Sequence, residues 1–135
     1  MPLTRLLMLV IGVVYLAAGV LGFVLAPEPM SAVGHQPSNA VWIFTVSGTQ
    51  NLLHTLLGAL ALLSSFKEIH ARAFAWVGFC VLLGFTAYGV LAASTQREGD
   101  AALNINWPDN VLHLASALVC LAAATVASRQ RADQT

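Results

Sequence analysis

Four stretches of the chain stay apolar for about twenty residues each, and shorter polar segments separate them. A bilayer core of about 30 Å takes about 20 apolar residues as a helix, which pairs its own backbone groups where no water can. The pattern predicts spans over 6–26, 47–66, 73–94 and 109–128. The first carries no charge and stops before Pro27 and Pro29, neither of which can continue a helix. It is too long for a signal-peptide core, so it reads as a mature helix. The second opens at Ser47, a potential cap, and holds one Asn and one His. The third carries Trp76 near one end as an interfacial anchor, and the fourth follows Trp107 and Pro108. The expected fold is all-α: a four-helix transmembrane bundle in a single domain over 1–135.

Between the first two spans, residues 27–46 begin polar and turn apolar through Ala40, Val41, Trp42, Ile43 and Phe44. That patch can lie in the headgroup layer, extend the second helix, or fold over the mouth of the bundle. The chain from Arg129 onward reads as a short polar tail.

Only 9% of the 135 residues are charged and 58% are apolar, far from the composition of an ordinary soluble domain. Six basic residues balance six acidic ones, which removes the basic excess that nucleic-acid binding needs. With four spans, Arg5, Lys67, Arg72, Arg129 and Arg131 fall on one side and Arg97 alone on the other. The positive-inside rule then puts both termini in the cytoplasm. The opposite face is mildly acidic, through Glu28, Glu98, Asp100 and Asp109 at a helix edge.

The second and fourth spans begin alike: Gln50-Asn51-Leu52-Leu53-His54 against Asp109-Asn110-Val111-Leu112-His113, 59 positions apart. The odd spans align more weakly at an offset of 66, matching Gly12 to Gly78 and Leu16 to Leu82. The chain reads as two hairpins of shared origin, parallel repeats about an axis along the membrane normal. Through Asn51, His54 and Gly58 in one repeat and Asp109, Asn110 and His113 in the other, the sequence resembles an uncharacterised bacterial family of small four-helix membrane proteins with a repeated Asn-x-x-His motif. It departs from that pattern at Thr49-Gln50 and at Ala117. The resemblance implies the fold and a bacterial inner (plasma) membrane, and no activity.

A helix turns about 100° per residue, so Asn51, His54, Gly58, Ala61 and Ser65 share one stripe, as do Asn110, His113, Ala117, Cys120 and Ala124. Small residues let backbones approach, and an Asn or His in lipid needs a partner, so both stripes should face inward. His54 and His113 then stand at similar depths. One reading makes them ligands of a shared centre, with haem or another tetrapyrrole preferred over zinc, and Asn51 and Asn110 as groups fixing the ring tautomers. The other makes all four residues structural glue. His35 and His70 read as solvated loop residues. Cys80 and Cys120 lie at similar expected depths, although buried thiols commonly act as small hydrophobes. No charge lies at mid-span, and no nucleotide, metal-cluster or Ser-His-Asp pattern occurs. The functional expectation is a small multi-pass integral membrane protein, a non-catalytic packing or accessory subunit. Its partners are the lipid bilayer and either its own copies or a larger membrane complex, with no nucleic acid. Membrane cofactor binding through the paired histidines is the alternative.

Overall fold

The computed structural model describes residues 1–34, 36–95 and 103–132. Four helices carry the fold: α1 (Leu3–Leu25), α2 (Gly48–Ser64), α3 (Glu68–Thr95) and α4 (Trp107–Ala132). A two-stranded antiparallel hairpin, β1 (Ala40–Val41) and β2 (Phe44–Thr45), precedes α2, pairing Ala40 with Thr45 and Val41 with Phe44. Three of the helices, α1, α3 and α4, are long and apolar enough to cross a membrane.

The elements differ from expectation in several places, beginning with α1, which starts at Leu3 rather than Leu6. Helix α2 ends at Ser64 rather than Phe66, because the Ser65 amide bonds back to the Ala61 and Leu62 carbonyls and closes the last turn. Its 17 residues span about 25 Å at 1.5 Å per residue, the shortest of the four. Helix α3 starts five residues before Ala73, at Glu68, whose carboxylate suits the positive end of the helix dipole. The polar tail is partly helical: α4 continues through Arg129 and Arg131 to Ala132, since no proline or glycine stops it. The apolar patch of the first loop neither extends α2 nor lies apart from the bundle. It forms the hairpin, with Trp42 and Ile43 as the turn, and packs on α1 and α4. The expectations for His35, Arg97, Glu98 and Asp100 lie outside the described residues.

Every first-turn amide of α2 finds an acceptor. Gly48 and Thr49 donate to the Ser31 and Ala32 carbonyls, Gln50 N to Ser47 Oγ, and Asn51 N to the Ser47 carbonyl. These bonds satisfy donors that a helix leaves orphaned, and they fasten the first loop to α2. At the opposite end of the bundle, Arg5 Nε donates to the Ser65 carbonyl over 2.7 Å, placing a cation at the C-terminus of α2.

The tightest packing is within sequential pairs, α1 on α2 and α3 on α4. In the first pair, Gly22 receives the Asn51 side chain, and Gly58 lies against the Leu16 backbone; a Cβ at either position would overlap these atoms. In the second, Gly89 receives the Asn110 side chain and Gly78 faces Cys120 Sγ. Helices α2 and α4 stand diagonally, with their backbones out of contact. The buried core between the four runs through Met8, Tyr15, Leu57, Ala61, Leu82 and Cys120. Outward faces remain apolar, and on α2 the exposed face is Leu52, Leu56, Leu60 and Leu63.

Candidate functional site

Each helix contributes one ring to the centre of the bundle: Tyr15 from α1, His54 from α2, Phe85 from α3 and His113 from α4. His54 and His113 are each the seventh residue of their helix, which sets them at equal depth from the hairpin end. Their Nε2 atoms are 3.1 Å apart, a direct hydrogen bond across the diagonal. Tyr15 is edge-on to His54, with centroids 5.2 Å apart, and lies nearly parallel to His113 at 6.3 Å. Phe85 closes the opposite flank, 5.5 Å from His113. Tyr15 and both imidazoles are buried.

This arrangement does not fit a tetrapyrrole between the two histidines. Axial nitrogens at about 2.0–2.1 Å from a central metal stand about 4 Å apart, with the macrocycle plane between them. Here the nitrogens are closer and bonded to one another, and the Tyr15 and Phe85 rings lie against the imidazoles. Among the described residues, no group of three or more His, Cys, Asp or Glu side chains is placed to hold a metal ion.

The asparagines do not orient the imidazoles. Asn51 Nδ2 donates to Met30 Sδ over 3.2 Å, and Asn51 Oδ1 meets no donor. Neither polar atom of the Asn110 side chain has a partner among the described residues. Both amides pack instead on the glycine of the neighbouring helix, Gly22 or Gly89. Cys80 and Cys120 do not form a pair either: Cys80 is exposed on the outer face of α3, while Cys120 is buried against Gly78.

A second polar cluster lies about one helical turn from the histidines, and sequence reasoning placed its central residue at the surface. Asp109 is 1% exposed. Its Oδ2 accepts from the Asn106 amide over 3.0 Å, while Asn106 Oδ1 accepts from the Asp109 amide over 3.0 Å, a reciprocal cap on the first turn of α4. The Thr45 hydroxyl lies 2.8 Å from Asp109 Oδ2 and 2.6 Å from the Asn104 carbonyl oxygen. Asn104 Nδ2 donates to the carbonyls of Gln36 and Val46, and its Oδ1 accepts from the Gln36 amide. The hairpin and the residues before α4 are thus tied into one polar knot over the end of the bundle. The Asn106-x-x-Asp109 spacing is a capping signal visible in the sequence. Thr45 and Asn104 carry no local signal, because their partners are about 60 residues away.

Residues 5–126 match a family model described as a domain of unknown function, DUF4383. The chain belongs to the DUF4383 family. The match includes all four central rings and the whole Asp109 cluster, so both lie within the family domain rather than in an appended segment. No curated protein matches the chain, and no solved structure does. Membership in DUF4383 therefore brings no activity with it.

Proposed function

We propose that this DUF4383 protein is a non-catalytic integral membrane protein that crosses a bacterial inner membrane four times. In this reading it packs against copies of itself or a larger membrane complex. The observation that carries it is the inward use of its polar groups: His54 bonds His113, and Asp109 is engaged by Thr45 and Asn106. Intramembrane polar pairs of this kind act as glue between helices.

Helix α2 supplies the fourth crossing. Its length is at the lower limit for a span, and its exposed leucines suit acyl chains better than water. Arg5, Lys67, Arg72, Arg129 and Arg131 then share the cytoplasmic side with both termini.

A duplicated hairpin is supported by the burial pattern. On α2, buried Gln50, Asn51, His54, Leu57, Gly58 and Ala61 recur 59 positions later as buried Asp109, Asn110, His113, Ser116, Ala117 and Cys120. On α1, buried Thr4, Met8, Ile11, Tyr15, Gly19 and Gly22 recur as Ala71, Ala75, Gly78, Leu82, Thr86 and Gly89. That second offset is 67, one position beyond the 66 suggested by residue identity, so Gly22 and Gly89 are the equivalent glycines.

Purification from native membranes in a mild detergent tests the function. The expected result is a stable oligomer or a co-purifying membrane complex that is altered when the gene is deleted. A lone monomer, together with unchanged complexes in the deletion strain, overturns the proposal.

A further inference from the structure

Beneath the β-hairpin, a cavity of about 250 Å³ opens between α1 and α4. Its α1 wall is Val14, Ala17, Ala18 and Leu21, and its roof is Val41, Trp42, Phe44 and Val46. Its polar residues are Thr45, Asn51, His54 and Asp109, from the hairpin, α2 and α4. We infer that this cavity binds the headgroup of a neutral, membrane-dissolved lipophile: a planar ring bearing carbonyl or hydroxyl oxygens on an apolar tail, as in a quinone. This site borders the bonded histidine pair through His54, and it does not rest on the packing role proposed above.

Size, polarity and charge define this class of occupant. A cavity of about 150 Å³ accepts benzene, so the present one has room for a substituted ring. Its walls are apolar, and among the described residues no Lys or Arg lines it to compensate a carboxylate or phosphate, while the Asp109 carboxyl disfavours one. Asn51 is 1% exposed, yet among the described residues its amide oxygen meets no donor and its amide nitrogen meets a thioether acceptor alone. A ligand carbonyl or hydroxyl would supply what that side chain lacks. Trp42 adds an independent sign. It holds a φ of 57°, a region that costs a bulky residue energy, while its side chain stays 77% exposed where it lines the cavity. That φ is what the two-residue hairpin turn takes, and the exposed ring it sets at the cavity suits a planar ligand.

The test uses the full chain in nanodiscs, with Trp76→Phe and Trp107→Phe leaving Trp42 as the reporter, and decylubiquinone as the probe. Saturable quenching of Trp42 is expected, weakened about tenfold or more when Ala18→Phe fills the cavity. Val14→Phe narrows the same space and serves as the second variant should Ala18→Phe fail to fold. Excess dodecanoate and 1-dodecanol should leave quenching unchanged. Quenching that rises linearly with probe and is equal in the filled variants means simple partitioning and overturns the inference. Equal competition by 1-dodecanol overturns the ring headgroup, since the cavity would then accept any chain.

Discussion

His54 and His113 are joined Nε2 to Nε2 at 3.1 Å although the helices that carry them do not touch through their backbones. One proton serves that bond. The His113 Nδ1 atom is buried without a partner among the described residues, and a bare lone pair is less costly to bury there than an unpaired N–H. His113 is accordingly the donor and His54 the acceptor. The bond is one of several polar links between the two hairpins, beside the Thr4 hydroxyl on the Ala123 carbonyl and the knot around Asp109.

Replacing either histidine with alanine removes one partner and strands the other in the core. Each single variant should lose about 1–3 kcal/mol of stability, the cost of an unmatched buried polar group. The double variant should lose less than the sum of the two, with a coupling of about 0.5–3 kcal/mol. Equilibrium unfolding in mixed micelles measures the cycle, and strict additivity would show that the two rings are independent.

The same geometry bears on cofactors. Protein purified from its native membrane is expected to show no Soret band, because the imidazoles are bonded to one another with aromatic rings on their flanks. A Soret band that disappears in His113→Ala would instead mean that the pair opens to admit a macrocycle.

The glycines divide into two kinds. At Gly22, Gly58 and Gly89 an added Cβ overlaps the neighbouring helix, whereas at Gly84 it meets nothing within 4 Å. Alanine at any of the first three should destabilise by about 1–3 kcal/mol through forced separation of the helices. Gly84→Ala should be neutral or stabilising by up to about 1 kcal/mol, because alanine is the better helix former. Thermal denaturation of the four variants in one detergent checks the contrast.

Thr45→Val retains shape and removes the hydroxyl that meets both Asp109 and the Asn104 carbonyl. The hairpin should then lift from the bundle more often, at a cost of about 1–3 kcal/mol. Hydrogen exchange at the Val46 amide, which donates to the Asn39 carbonyl, should accelerate while the α3 core stays protected. Equal acceleration everywhere would mean global rather than local opening.

The four crossings proposed above would place Ser38 and Lys67 on opposite sides of the membrane. In a Cys80→Ala, Cys120→Ala background, an impermeant maleimide added outside the cell should label Ser38→Cys and spare Lys67→Cys until the membrane is broken. Labelling of both from outside would show that α2 does not cross.

Hydropathy determined much of this protein without reference to tertiary contacts. Uninterrupted apolar runs determined the four helices, and the spacing of polar and small residues marked Asn51, His54, Asn110 and His113 as inward-facing. Such features are local: backbone hydrogen bonding forces a helix on any long apolar run in lipid, and 3.6-residue periodicity then chooses its face. Tertiary structure decided what the inward groups meet. The histidines could ligate or bond each other, and only the separation of α2 from α4 selected the bond. The asparagines turned to glycines rather than imidazoles because Gly22 and Gly89 leave recesses on the neighbouring helices. Asp109 became buried because Thr45 and Asn104, far along the chain, close over it. Distances between side chains so remote in sequence depend on how whole helices cross, and no short window of residues carries that information.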